Sequence, residues 1–113
     1  MRNGISLLAV AITATGAITS NRFVTAAGAL TGAAGNAQGV AQSDAAIGAK
    51  VTATVIGTEV VETGAAIAAG ALIESDATGR AITKAAGVTL GRLAPGEVAT
   101  AAGQFVEIIL IQN

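Results

Sequence analysis

Phe105-Val-Glu-Ile-Ile-Leu-Ile111, near the end of the chain, is the stretch whose reading decides the fold. Only Glu107 interrupts an apolar run rich in Ile and Val, side chains that suit a pleated sheet. The run is too short for a core helix and follows Gly103, a turn former, so it reads as a strand. Phe105, Glu107, Ile109 and Ile111 fall on one side, and Val106, Ile108 and Leu110 on the other. With a single charge, the pattern predicts a central strand buried on both faces.

Outward from this strand the chain keeps the same texture. Its 15 glycines, with Asn residues among them, recur every few positions and leave no room for a helix longer than about two turns. Between them lie short β-branched segments at residues 22–25, 50–56, 58–62 and 80–83. In segment 50–56, Val51, Ala53 and Val55 alternate with Thr52 and Thr54, which predicts one wet face. Ser75-Asp-Ala-Thr-Gly79 carries turn chemistry between 71–74 and 80–83. Those two segments should pair as a hairpin, with Asp76 in the turn and Glu74 facing solvent. The Ala-rich stretches 26–34 and 45–49 are each expected to form a turn of helix. The pattern is that of an all-β fold, a small barrel or sandwich of short strands.

A weak internal repeat runs through it. Ala17-Ile-Thr-Ser-Asn-Arg-Phe-Val24 parallels Ala66-Ile-Ala-Ala-Gly-Ala-Leu-Ile73, and Gly39-Val-Ala41 parallels Gly91-Arg-Leu93. Gly48-Ala-Lys-Val-Thr-Ala-Thr-Val-Ile56 then parallels Gly103-Gln-Phe-Val-Glu-Ile-Ile-Leu-Ile111. The offset grows from 49 to 52 to 55, as loop insertions would make it. Asn21 stands where Gly70 stands, and both types tolerate left-handed backbone. Two similar halves are therefore expected.

At 113 residues the chain is one domain. Hydrophobic residues make up 52%, but aromatics only 2%, and about a quarter of the chain is Ala. A fully buried Val, Leu or Ile contributes roughly 1.5–3 kcal/mol, and Ala much less. A core this thin implies stability drawn from neighbours, by oligomerisation or by docking on a larger surface. Six basic and seven acidic residues offer no basic stripe for nucleic acid and no polybasic patch for a membrane.

The inventory of chemical groups is short. There is no His and no Cys, which removes the commonest general base, the thiol nucleophile and the usual zinc ligands. Gly32-Ala-Ala-Gly-Asn-Ala-Gln-Gly39 lacks the Gly-Lys-Ser/Thr ending of a phosphate loop. Glu74 and Asp76, with Asp44 or Glu62, could meet a hard cation, but the ligand density of a calcium loop is missing. Glu59 and Glu62 fall on opposite faces of a strand, a poor arrangement for an acid–base pair. Phe23 and Phe105, the only aromatics, make no stacking platform for bases or sugars. The expectation is a structural chain with no catalytic residues, no cofactor and no metal.

Arg2 precedes an apolar run at 5–12. One reading is a secretion signal. The other is a strand or arm in which Val10, Ile12 and Ala14 alternate with Ala11, Thr13 and Thr15. A spanning helix needs about 20 apolar residues, and Gly16, Thr19, Ser20, Asn21 and Arg22 end this run too early. The chain divides into residues 1–16, an N-terminal arm or first strand, and 17–113, a β-rich domain.

Three stretches, in order, carry a family resemblance. They are Ala37-Gln-Gly-Val-Ala-Gln-Ser-Asp-Ala-Ala-Ile-Gly48 with Val51 to Gly57, then Thr63-Gly-Ala-Ala-Ile-Ala-Ala-Gly-Ala-Leu-Ile-Glu-Ser-Asp-Ala-Thr-Gly-Arg-Ala-Ile-Thr83, then Thr89-Leu-Gly-Arg-Leu93 with the closing strand. From about residue 17 to 111 the chain resembles phage head decoration proteins, also called capsid cement proteins. Asn21 departs from a Gly common in that family, and segment 1–15 is more apolar than a free leader. The resemblance implies a virion protein on the outer surface of the capsid, assembled in the host cytoplasm. It would bridge subunits of the major capsid protein and gather as a homotrimer, or as a dimer. The apolar start makes Ile5, Leu7, Leu8, Val10 and Ile12 the capsid-contact candidates. The competing reading is a secreted bacterial surface or adhesion module, which needs the N-terminal run to be a signal.

Overall fold

A computed structural model describes residues 4–111, so Arg2 of the signal reading lies outside the described residues. Eight strands follow one another: β1 (Ser6–Thr13), β2 (Phe23–Val24), β3 (Gly39–Ala41), β4 (Lys50–Glu62), β5 (Leu72–Ser75), β6 (Ala81–Thr83), β7 (Gly91–Leu93) and β8 (Phe105–Leu110). They pair antiparallel in the order β2-β3-β4-β8-β7-β5-β6, with β1 added on β4. No helix occurs among the described residues. The two Ala-rich stretches form turns and bends instead of helical turns. Gly28 (φ 93°) and Ala34 (φ 58°) break the first, and Gly48 (φ 90°) breaks the second. Local propensity of Ala yields there to left-handed turn positions.

The segments expected at 50–56 and 58–62 are one continuous strand, β4. Its first part pairs with β1 and β3, and its last part, Thr58 to Glu62, pairs with β8. The second half curls into a nearly closed barrel. β4, β8, β7, β5 and β6 lie in sequence around it, and a parallel bridge between Thr63 and Ala81 brings β6 back to the end of β4. The first half closes in a similar way. Val24 bridges Leu30, and the Thr15 N–H donates to the Gly28 carbonyl at 2.9 Å, just beyond the end of β1.

The repeat is physical. Ile18 and Ala45 exchange backbone hydrogen bonds of 2.8 and 3.0 Å, and Ile67 and Ala99 exchange bonds of 2.9 and 3.0 Å. Asn21 and Gly70 both have positive φ, 62° and 73°, as their alignment requires. The smaller core holds Ile12, Ala14, Ile18, Val24, Ala41, Val51 and Ala53. The repeat offsets carry these onto Val61, Thr63, Ile67, Ile73, Leu93, Val106 and Ile108, all buried in the second half. At most positions the second half has the larger side chain. The larger core also takes Phe23 and Val40 from the first half, which fastens the halves together.

Strand β8 lies in the middle of the sheet but is covered on one face only. Val106 and Ile108 are buried, whereas Phe105 and Ile109 on the other face are exposed. The expected burial on both sides fails because no layer packs over that outer face. In β4, Thr52 is exposed as expected, but Thr54 is buried. Its hydroxyl accepts from Gln42 Nε2 and donates to Glu59 Oε2, both at 2.8 Å.

Gly57 sits in β4 between its two pairings, with φ 116°. A methyl group there would run into the carbonyl oxygen of Ile5. Gly57→Ala should therefore destabilise the chain by more than about 1 kcal/mol, through strain and lost β1 pairing. Gly16, where a methyl group would meet only open space, is the comparison: Gly16→Ala should stay within about 0.5 kcal/mol of the parent. Urea unfolding midpoints of the two variants check this. Equal midpoints would refute the role given to Gly57.

Candidate functional site: an apolar strand tip

The tip of β1 is an apolar surface on a held backbone. Ile5, Leu7 and Leu8 are 61%, 73% and 46% exposed. The Ile5 N–H donates to Thr58 Oγ1 at 2.8 Å, and the Thr58 N–H donates to the Ile5 carbonyl at 2.8 Å. Register shifts on the two sides of Leu8, first in β1 and then in β4, cancel by Ala9 and leave a local irregularity that re-aims side chains. Further along β1, Val10 is half-buried against the smaller core and Ile12 is buried within it. Alternation in a strand explains the split: Val10 and Ile12 point inward, and Ala9 and Ala11 point out. Ile5, Leu7 and Leu8 are thus the candidates that present surface, and Ile12 anchors the strand that carries them.

Several of the charged residues hold the fold together. Arg22 Nη2 meets Glu62 Oε1 at 3.1 Å, and Arg80 joins Glu62 at 3.9 Å and Asp76 at 3.1 Å. This chain ties the turn before β2 to the end of β4 and to the β5–β6 hairpin. Asp76 caps that hairpin as expected, accepting N–H bonds from Thr78 and Arg80 at 2.9 and 2.8 Å. Glu74 does not face solvent: it is buried, and its Oε1 accepts the N–H groups of Ala85 and Gly87, each at 2.8 Å. The loop after β6 folds over it, which strand parity alone does not register. Glu59 and Glu107 accept hydroxyl protons from Thr54 and Thr58 at 2.8 and 2.6 Å. No group of three or more His, Cys, Asp or Glu residues able to hold a metal occurs among the described residues.

A cleft of about 100 Å³ lies where the halves meet, lined by Phe23, Gly39, Val55, Leu90, Leu110 and others. Ligand pockets usually measure about 300–1,000 Å³, so this is a seam between walls. Sequence reasoning missed the other exposed apolar residues, Ile47, Ile56, Val98, Phe105, Ile109 and Ile111. Strand parity puts Phe105, Ile109 and Ile111 on one face, but a run apolar on both faces carries no signal that this one stands open.

Comparison with known proteins decides the family. A family model described as phage cement protein matches residues 1–110. The chain belongs to the phage cement protein family. This cement protein also shares its fold with the N base of the head fiber gp8.5 of bacteriophage phi29. The TM-score is 0.76 at 18% identity, over 92% of this chain and 93% of that one. No curated protein matches it. Family and fold together make the chain a structural protein of the phage capsid.

Two carboxylates held by backbone N–H groups, the buried Glu74 and the half-buried Asp76, should make the cement protein acid-sensitive. Hydrogen bonds from Ala85 and Gly87 hold the Glu74 carboxyl below its ordinary value of 4.5, against the cost of burial. Burial pushes Asp76 up, but the N–H groups of Thr78 and Arg80 and the Arg80 guanidinium outweigh it and leave it below 3.8. A lowered folded-state pKa gives stability that is complete above the unfolded value and drains as pH falls through the folded one. Unfolding midpoints should therefore be flat above the ordinary value of 4.5 and decline progressively below it. Glu74→Gln should lower stability at neutral pH and flatten the acid decline. A variant curve parallel to the parent would contradict the assignment.

Proposed function

We propose that this cement protein binds the outer surface of the phage capsid and bridges neighbouring subunits of the major capsid protein, stabilising the head. The observation that carries this reading is the tip of β1. Ile5 and Leu7, flanked by Leu8, stand in solvent on a backbone already fixed by its pairing with β4. Exposed apolar side chains grouped on a rigid element are the usual anchors of a protein interface. A pre-ordered strand loses little conformational freedom on docking, so more of its contact energy appears as affinity. The sparse charge fits a contact made by shape and apolar area. Self-association, as a homotrimer, would present several tips at once and convert modest single contacts into tight attachment.

Add-back to heads assembled without the protein tests this. Saturable binding on the capsid exterior, seen by electron microscopy, and a higher melting temperature of the decorated head are expected. The double variant Ile5→Asp, Leu7→Asp should keep its own unfolding midpoint and lose at least about tenfold in capsid affinity. Deleting the segment is the poorer test, because β1 is part of the first half's sheet and carries Ile12 in its core. Full occupancy by the double variant would remove β1 from the contact. Failure of the parent protein to associate with heads would end the cementing reading.

A further inference from the structure

The two halves carry equivalent rows of residues across their outer faces, and the inner members of the first row are covered where those of the second stand open. In the first half, strand register aligns Ala9, Thr54, Val40 and Phe23 across β1, β4, β3 and β2. In the second, it aligns Thr58, Ile109, Arg92 and Leu72 across β4, β8, β7 and β5. The repeat offsets carry each member of the first row onto its counterpart in the second. Thr54, Val40 and Phe23 are all buried. Val40 and Phe23 pack in one core with second-half residues, Leu90 and Leu110 among them. In the second row Ile109 is 41% exposed, Arg92 is exposed, and nearby Phe105 is 47% exposed. Nothing in the described chain does for this face what the second half does for the first.

The covering surface also has a counterpart. Leu110 and Ile111 line the cleft beside Phe23. Their repeat equivalents in the first half are Val55 and Ile56. Ile56 is 39% exposed, and Leu8 lies directly opposite it in the β1–β4 ladder. The outer face of β8 and β7 is therefore open, apolar at Ile109 and Phe105 and charged at Arg92. The Ile56–Leu8 pair, two residues along β4 from Thr58, forms an apolar edge at the repeat position that covers such a face within the chain.

We propose that the outer face of β5, β7 and β8 docks a second copy of this chain through that copy's Ile56–Leu8 edge. The contact repeats, between copies, the packing of the second half on the first. It joins two different surfaces, so it is heterologous and generates a closed ring when the rotation between copies allows. The proposal rests on the self-association proposed above and names the surfaces that carry it. Ile5 and Leu7 remain free for the capsid.

Sedimentation of the full-length protein and of two single variants, Ile109→Lys on the face and Ile56→Lys on the edge, tests this. Both substitutions are at exposed positions, and circular dichroism melts should stay cooperative. The parent should sediment as an oligomer. Each variant should sediment as a monomer, with association weakened at least about tenfold. An equimolar mixture of the two should recover a dimer, because each variant keeps one intact surface. Oligomers that persist in both variants would overturn these surfaces while leaving self-association standing. Monomeric variants that mixing does not rescue would also overturn the proposal, because the contact would then be of like with like. A parent that stays monomeric at about 100 μM would overturn both this proposal and the self-association behind it.

Discussion

Strand β4 serves two barrels at once, and most of the architecture follows from that sharing. Its 13 residues form a wall of the first half up to Gly57 and a wall of the second half beyond it. A strand so placed cannot be lost from one half without opening the other. The first half needs this arrangement, because three of its seven core residues are Ala. Methyl groups bury little area, and each contributes far less than a branched side chain. Sharing β4, and sending Phe23 and Val40 into the larger core, couples the weaker half to the stronger one. Small side chains are also what lets the walls of such narrow barrels approach.

The repeat explains which features were legible in the sequence. Offsets of 49, 52 and 55 were visible because turn positions such as Asn21 and Gly70 keep their spacing to the strands around them. The all-β class was visible for a related reason, since frequent glycines exclude helices. Continuity of β4 was hidden. Gly57 has the look of a breaker, yet it is the residue that lets one strand pass from one pairing to the next beside Ile5. The helical turns expected at the Ala-rich stretches failed for the converse reason. Alanine favours helix only where the backbone is free to take it, and tertiary closure of the first barrel demands left-handed turns there.

Burial on a second face was beyond the reach of pattern alone. An apolar strand such as β8 reads the same whether its outer face meets another layer of the same chain or stands open. The equivalent row in the first half shows both outcomes within one molecule: Phe23 and Val40 are covered, and Ile109 is not. Glu74 makes the same point in polar form. Its parity in β5 was clear, but the loop that folds back to place the N–H groups of Ala85 and Gly87 against it lies 11 and 13 positions away. The surface at the tip of β1 was legible only in part. The apolar start marked Ile5, Leu7 and Leu8; strand parity separates Ile5 and Leu7 from Val10 and Ile12, which serve the core, whereas Leu8 shares their parity and stands exposed beside the register shifts.

Placing the exposed apolar residues on paired strands has an energetic consequence for any docking they take part in. A flexible arm of the same composition would have to be ordered at the moment of contact, at a cost of about 1–2 kcal/mol per residue for the backbone alone. In β1 most of that cost falls during folding, through its ladder with β4. The core contributes the anchor: Ile12 holds inside while Leu7 stands outside on the same strand. The thin core and the apolar surface are therefore parts of one arrangement. Residues that would enlarge the core of a self-sufficient domain are placed here at the surface, where only a neighbour can bury them.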